Sequence, residues 1–285
     1  MKILKNISMA MDQLSNKQKV IARYLMQNKD KIGFMTLKEL SEEINVTEVT
    51  ILNFCKCIGI DSFTEMRKEF QELVKKELHV PTKIESSLQA LDNLNDAFSN
   101  TVQIQKLNFE RIIQQNSIDT LYAVGKNIEK ARTVYICGLG ISKVVADYLN
   151  SRLKLINIDS RILDIGDMVS ASAELARATD EDCFFLISFP SYSPLIINLS
   201  RYLTEKNLNF IVLTDNEKSP LAKNAKIILK SYNESLVFYN FISATISLVE
   251  QVLIVLSFNM KDRIMENLET LEEVQDSLIK DIYNE

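Results

Sequence analysis

The chain is poor in the residues that make tight turns and in the residue that most often does acid–base chemistry. Its 285 residues include 6 Gly, 4 Pro, one His and no Trp. So few turn formers argue against an all-β fold and for a helix-rich one. The single histidine, His79, leaves Ser-His-Asp chemistry without support elsewhere in the chain, and it falls in a polar stretch that reads as an inter-domain linker. The four cysteines, Cys55, Cys57, Cys137 and Cys183, are scattered, with one Cys-x-Cys and no second pair. That spacing is neither a zinc site nor a disulfide framework, so free thiols in a reducing compartment are expected, with no metal and no cofactor. The N-terminus lacks the apolar core of a signal peptide. The most apolar stretch, 236–258, is interrupted by Tyr239, Asn240, Glu250 and Gln251. It reads as a buried helix and not a membrane span, and a cytoplasmic protein with no membrane partner is expected.

What is present is ordinary for a globular protein: 46% hydrophobic and 25% charged residues, in a chain long enough for two domains. The net charge of −5 is unevenly spread. Residues 1–80 hold 13 Lys+Arg against 11 Asp+Glu, or +2, and residues 81–285 hold 20 against 27, or −7. Nucleic-acid affinity would therefore come from locally placed lysines and from dimerisation, because phosphate contacts scale with local positive charge.

Residues 1–76 read as helical. Val20, Ile21, Tyr24 and Leu25 share one stripe. Thr36 and Glu39 form a capping box ahead of a short helix that turns Leu37, Leu40 and Ile44 inward. Asn45-Val46-Thr47 makes a tight turn, and Thr47 caps the next helix, whose apolar side is assigned to Val49, Ile51, Leu52, Cys55 and Ile58, with Gly59 at its end. A further helix runs from about 63 to 78. Pro81 and the polar run around it, 79–90, break the helical pattern and mark the boundary. The expected organisation is a helix-turn-helix domain over 1–78, a linker and connecting helix over 79–104, and a larger domain over 105–285.

In that larger part, helices at 93–115 and 117–129 precede a change of pattern. Short β-branched and aromatic runs at 133–137, 159–163, 183–188, 210–214 and 226–229 alternate with amphipathic segments near 142–153, 167–177 and 195–206. Such alternation predicts βαβ units and a five-stranded parallel sheet with helices on both faces. Helices over 236–258 and 262–283 close the chain. The fold class is thus α/β, preceded by an all-α domain.

Residues 36–58 have the proportions of a helix-turn-helix. The second helix presents Thr47, Glu48, Thr50, Asn53 and Lys56 away from its apolar stripe, and hydroxyls, an amide and an ammonium at that place can reach base edges and phosphates. Thr36 and Lys38, at the start of the preceding helix, join them as candidate DNA-binding residues. The same pattern also fits a plain helical hairpin with a solvated face. Beyond the physical pattern, the run Leu14-Ser15, then Met35-Thr36-Leu37-Lys38-Glu39-Leu40-Ser41, Val46-Thr47-Glu48-Val49-Thr50-Ile51-Leu52-Asn53-Phe54-Cys55-Lys56, Ile58-Gly59 and Phe63 resembles the N-terminal domain of RpiR-type regulators. The resemblance covers about the first 77 residues and implies binding to double-stranded operator DNA. Two departures stand out: Asn53 replaces the family's usual arginine, and Cys57 a basic residue.

A second constellation, Val134-Tyr135-Ile136-Cys137-Gly138-Leu139-Gly140-Ile141-Ser142, reads as strand, Gly-x-Gly turn and helix, which places N–H groups and a hydroxyl where an anion can sit. The third glycine of a dinucleotide fingerprint would fall at Lys143, which disfavours that class; a turn with no ligand fits equally. Together with 182–193 and Val212-Leu213-Thr214-Asp215-Asn216 … Ser219-Pro220-Leu221-Ala222, it resembles the sugar isomerase (SIS) domain that RpiR-type proteins carry C-terminally, over about residues 105–258. The resemblance implies that Ser142, Ser188, Ser191 and Ser193, with Gly138 and Gly140 shaping the turn, hold the phosphate of a phosphorylated sugar, and that the protein is a homodimer or homotetramer. Here too there are departures: Pro190 stands for a hydroxyl residue and removes a donor, Ser191 for a glycine, and Ile141 for another hydroxyl residue.

SIS domains also serve isomerases and lyases, which need a general base. Glu174 and Glu234, near strand ends, are the candidates, each read more simply as a surface or pairing carboxylate. No catalytic residue is assigned. The expected function is a DNA-binding transcriptional regulator of sugar metabolism that senses a phosphorylated sugar. The alternatives are a sugar-phosphate isomerase or lyase, and a non-catalytic binding protein without DNA recognition.

Overall fold

A computed structural model describes residues 2–77, 80–190, 192–238 and 240–279. The chain clusters into two compact units, residues 1–94 with Pro190–Pro194, and residues 95–189 with 195–285.

The first unit is helical: α1 (Lys2–Ala10), α2 (Asn16–Gln27), α3 (Lys29–Ile32), α4 (Leu37–Glu43), α5 (Glu48–Cys57), α6 (Phe63–Glu77) and α7 (Val80–Gln89). Local chemistry sets the starts. Ser15 and Gln18 form a reciprocal capping box on α2, and Thr36 and Glu39 do so on α4. The end of α5 is equally specified. The Ile60 N–H donates to Cys55 O and the Gly59 N–H to Lys56 O, with Gly59 at φ +75°, which is a complete Schellman motif. Ile3, Ile7, Ile21, Leu25, Leu40, Ile51, Phe54, Met66 and Phe70 form the buried core. One expectation fails at the boundary, where the 79–90 run is helical over Val80–Gln89. Pro81 falls in the first turn, where a missing N–H removes no helical bond, so proline there opens a helix instead of breaking one. Leu78 and His79 lie outside the described residues.

The second unit begins with α8 (Leu94–Gln115) and α9 (Ile118–Lys130) and then alternates: β1 (Val134–Gly138), α10 (Ile141–Leu155), β2 (Ser160–Ile162), α11 (Met168–Arg177), β3 (Cys183–Ile187), α12 (Pro194–Glu205), β4 (Phe210–Thr214) and β5 (Ile227–Lys230). All five strands are parallel, in the order β2-β1-β3-β4-β5. This is the five-stranded parallel sheet predicted from the sequence. Alternate residues of the central strands, such as Ile136, Phe185 and Leu213, join Val124 and Ile128 of α9, Leu149 of α10 and Leu248 of α13 (Ser243–Asn259) in one core. Tyr135 stacks on Phe184 on the other face, as strand alternation requires.

Expected bounds shift where side chains hold the backbone. The last long apolar helix begins at Ser243, not near 236, because the preceding loop is pinned by its own polar groups. Ser231 and Thr245 hydroxyls lie 2.9 Å apart, and Asn233 binds both once its amide is oriented for donation. Asn116 supplies a further tie: its amide accepts from the Lys230 N–H (2.8 Å) and donates to Lys230 O (2.7 Å), copying a neighbouring strand at the β5 edge. A last helix, α14 (Lys261–Ile279), follows. Among the described residues no single helix is long and apolar enough to cross a membrane.

Candidate functional site

In the helix-turn-helix, Asn45 at φ +51° lets the chain reverse between α4 and α5. Of the candidate DNA-binding residues, Thr36, Lys38, Thr47, Glu48, Asn53 and Lys56 are exposed and Thr50 is half-buried. The hydroxyls do local work: Thr36 accepts from the Glu39 N–H (3.2 Å), and Thr47 accepts from the Thr50 N–H (3.3 Å) while lying 2.8 Å from the Thr50 hydroxyl. Glu48, Asn53 and Lys56 are the other exposed polar side chains among the candidates on α5. The expected apolar side of α5 is partly wrong. Ile51, Cys55 and Ile58 are buried as read, together with Phe54, but Val49 is 64% exposed and Leu52 37%. At 100° per residue, 51, 54, 55 and 58 make one stripe and 49, 52, 53 and 56 the opposite one, so counting apolar residues misplaces two of them.

Cys57 is exposed, with its sulfur 3.2 Å from the Gln18 amide nitrogen, and the other three cysteines are buried. Burial pushes the Cys55 thiol up to about 11 and those of Cys137 and Cys183 up to about 12. A thiol reagent at pH 8 is expected to modify one cysteine rapidly in the native protein and four after denaturation; rapid loss of more than one native thiol contradicts this packing.

In the second unit, the sheet order creates a crevice. The chain leaving β1 crosses to β2 on one side, and the chain leaving β3 crosses to β4 on the other. Such switch points, at the carboxyl ends of parallel strands, are where open α/β sheets take ligands. Gly138 and Ile187 are paired across β1 and β3, so the loops that follow leave from adjacent positions. Ser188 comes directly after Ile187, with its N–H donating to Leu213 O (3.1 Å), and is 4% exposed. On the other side, Gly140 at φ +58° forms the N-cap of α10 with no side-chain cap, and Ser142 lies in the first turn at 5% exposure. In that start the Ser142 N–H already donates to Leu139 O (3.2 Å) and the Lys143 N–H to Gly140 O (3.1 Å), so what the turn holds for an anion is the positive end of the helix dipole. Gly138 fixes how close that start lies: a Cβ there would sit 2.6 Å from Ser142 O and 2.8 Å from Ser142 C.

Ser142 and Ser188 thus both follow adjacent strand ends at the switch point, and both are buried. Ser193, half-buried ahead of α12, belongs to the segment that clusters with the first unit, and Ser191 lies outside the described residues. Thr214, Asn216 and Ser219 serve their own loop, with the Lys218 N–H donating to Asn216 (2.8 Å) and the Leu221 N–H to Ser219 (3.4 Å). Lys143, next to Ser142 in the same turn, pairs with Asp147 at 3.6 Å. The candidate bases are both tied up. Glu174 accepts from the Tyr135 hydroxyl (3.2 Å), with Arg161 3.7 Å away, and Glu234 pairs with Arg111 at 3.2 Å. Burial, then the contact with Glu174, pushes the Tyr135 phenol above its usual range. Among the described residues no cluster of His, Cys, Asp and Glu could hold a metal ion.

Comparison with known proteins matches residues 1–77 to the helix-turn-helix domain of the rpiR family and residues 127–255 to the SIS domain. The chain is an RpiR-type regulator. It is 24% identical over 234 residues to an HTH-type transcriptional regulator of Haemophilus influenzae, covering 81% of this chain and 80% of that one. It is also 22% identical over 232 residues to the HTH-type transcriptional regulator HexR of Pseudomonas aeruginosa, covering 80% and 78%. Among solved structures, the Vibrio vulnificus NanR protein complexed with ManNAc-6P has the same fold, at a TM-score of 0.65 and 19% identity, covering 95% of this chain and 98% of that one. Both halves of the sequence-based reading, the RpiR helix-turn-helix and the SIS sheet, therefore hold.

Proposed function

We propose that this RpiR-type regulator binds operator DNA through α5 and takes a phosphorylated sugar at the β1/β3 crevice, and that occupancy of the crevice alters DNA binding. The observation that supports the effector half is the close seat of α10 against the end of β1: with no Cβ at Gly138, the backbone of Ser142 comes down on a strand end whose neighbour, Ile187 of β3, leads directly into Ser188. NanR, of the same fold, was solved with a phosphorylated amino sugar. We read the protein as cytoplasmic, where a DNA-binding regulator acts, and as non-enzymatic, since the candidate bases Glu174 and Glu234 each lie beside a guanidinium. A homodimer or homotetramer accounts for the exposed Ile254 and Phe258 on α13 and Met265, Leu268 and Val274 on α14.

Calorimetric titration of the full chain with a panel of hexose and amino-sugar phosphates tests the effector site. One class of sugar phosphate is expected to bind, its unphosphorylated sugar not, and no isomer is expected to form. Ser142→Ala and Ser188→Ala should each weaken binding roughly tenfold, the loss of one charge-assisted hydrogen bond. Unchanged affinity in both variants, or turnover of the sugar phosphate, contradicts the reading.

A further inference from the structure

The outer stripe of α5 is not uniformly polar. Val49, Leu52, Asn53 and Lys56 stand at spacings of three and four residues, so two apolar side chains share the exposed face with an amide and an ammonium. Neither apolar residue is drawn into the core, which Ile51, Phe54, Cys55 and Ile58 fill from the opposite stripe. Thr47 and Thr50 bond to each other at the helix start, which takes the hydroxyls at that end out of competition for the face. What covers the pair is argued from the domain: residues 1–77 match the rpiR-family helix-turn-helix, and α5 is the second helix of that motif. The charge around the pair is mixed, with Lys56 exposed on the same helix as Glu48 and Lys38 of α4 4.0 Å from Glu42, which leaves a larger share of any base reading to apolar contact. The apolar group that duplex DNA displays in its major groove is the C5-methyl of thymine.

Building on the proposed DNA binding, we infer that Val49 and Leu52 form an apolar reading patch for thymine methyl groups. Three residues along a helix advance about 4.5 Å, close to the roughly 3.4 Å between successive base pairs. The two side chains therefore meet methyls on neighbouring pairs, and Asn53, beside them, has the amide that matches adenine N6 and N7. Specificity in this protein is then carried at this helix by shape and methyl contact more than by charge.

The test starts from duplexes selected out of a random-sequence library by the full-length protein. Each thymine of the selected half-site is replaced in turn by deoxyuridine, which removes the methyl alone, and affinity is measured at fixed salt. Loss of one buried methyl contact predicts roughly fourfold weaker binding at one or two positions. Val49→Ala or Leu52→Ala should abolish that sensitivity at its own position while leaving the helix intact, because both sites are exposed and alanine favours helix. Circular dichroism melting of both variants checks the fold. Tight DNA binding with no deoxyuridine sensitivity overturns the methyl patch and leaves DNA binding standing. Sensitivity that persists unchanged in both alanine variants overturns it as well. Recovery of no DNA above background overturns both inferences together.

Discussion

Gly138→Ala should destabilise the sheet unit far more than any surface change and weaken effector binding with it. The added Cβ would meet Ser142 O at 2.6 Å, Ser142 C at 2.8 Å and Lys143 N at 3.2 Å. These are backbone atoms of the first turn of α10, so no side-chain rotation relieves the overlap. The helix must lift from β1, which disturbs the core built by Val145, Ala146 and Leu149. Overpacking of this kind costs about 3 kcal/mol. Lifting the helix also displaces Ser142 from the end of β1, so the proposed phosphosugar affinity should fall by roughly tenfold or more. Gly140 offers a contrast. It has open space around it, and its restriction is the backbone at φ +58° and ψ −128°, so alanine there costs strain of about 1–3 kcal/mol without a clash. Urea unfolding followed by circular dichroism, with tyrosine fluorescence because the chain has no tryptophan, reads both variants. A Gly138→Ala protein with unaltered stability and unaltered effector affinity would contradict the seat of α10 described above.

Asp182→Ala should destabilise the same unit by about 3 kcal/mol and leave the crevice untouched. The Asp182 carboxylate is fully buried and accepts from Arg132 twice, at 2.6 and 3.0 Å, and from the Thr179 N–H at 2.9 Å. Arg132 also donates to Arg177 O at 3.3 Å, and its guanidinium is held above its usual range by hydrogen bonding and charge from Asp182. One carboxylate thus ties the entry to β1, the entry to β3 and the end of α11. Truncation leaves the Thr179 N–H without its acceptor, while Arg132, half exposed, regains water and softens the loss. Because this knot stands at the start of the strands and the serines at their ends, phosphosugar affinity of the folded variant should match that of the parent. A large affinity change at equal foldedness would show that the two ends of the sheet are coupled.

Much of this was legible in the residues, and the exceptions have physical causes. The three central strands announced themselves because each is a short β-branched or aromatic run buried on both faces, such as Cys183–Ile187 and Phe210–Thr214, whereas the edge strands Ser160–Ile162 and Ile227–Lys230 are only partly buried. Caps were equally plain, as Thr36 with Glu39 and Thr47 show. Helix faces were harder. Phe54 is buried and Val49 exposed because the geometry of the turn before α5 fixes its rotation, and residue type alone does not carry that rotation. Pro81 misled in the other direction, since proline both ends and begins helices. At the crevice, the Gly-x-Gly turn pointed to an anion loop, but only coordinates separate Gly138, needed for close approach, from Gly140, needed for its backbone angle. The knot of Ser231, Asn233 and Thr245 that delays α13 depends on contacts across a loop, and no periodicity reports those.

The central claim is that the crevice and the DNA-reading helix belong to one switch. It is tested most directly by titrating the recognised sugar phosphate into a preformed complex of the full-length protein with selected duplex DNA and following fluorescence anisotropy. An effector shifts such an equilibrium only if it prefers one arrangement of the protein. The account predicts a saturable change in DNA affinity, roughly fivefold or more, that Ser142→Ala and Ser188→Ala displace to higher effector concentration. DNA affinity that stays constant while calorimetry shows the effector bound would contradict it.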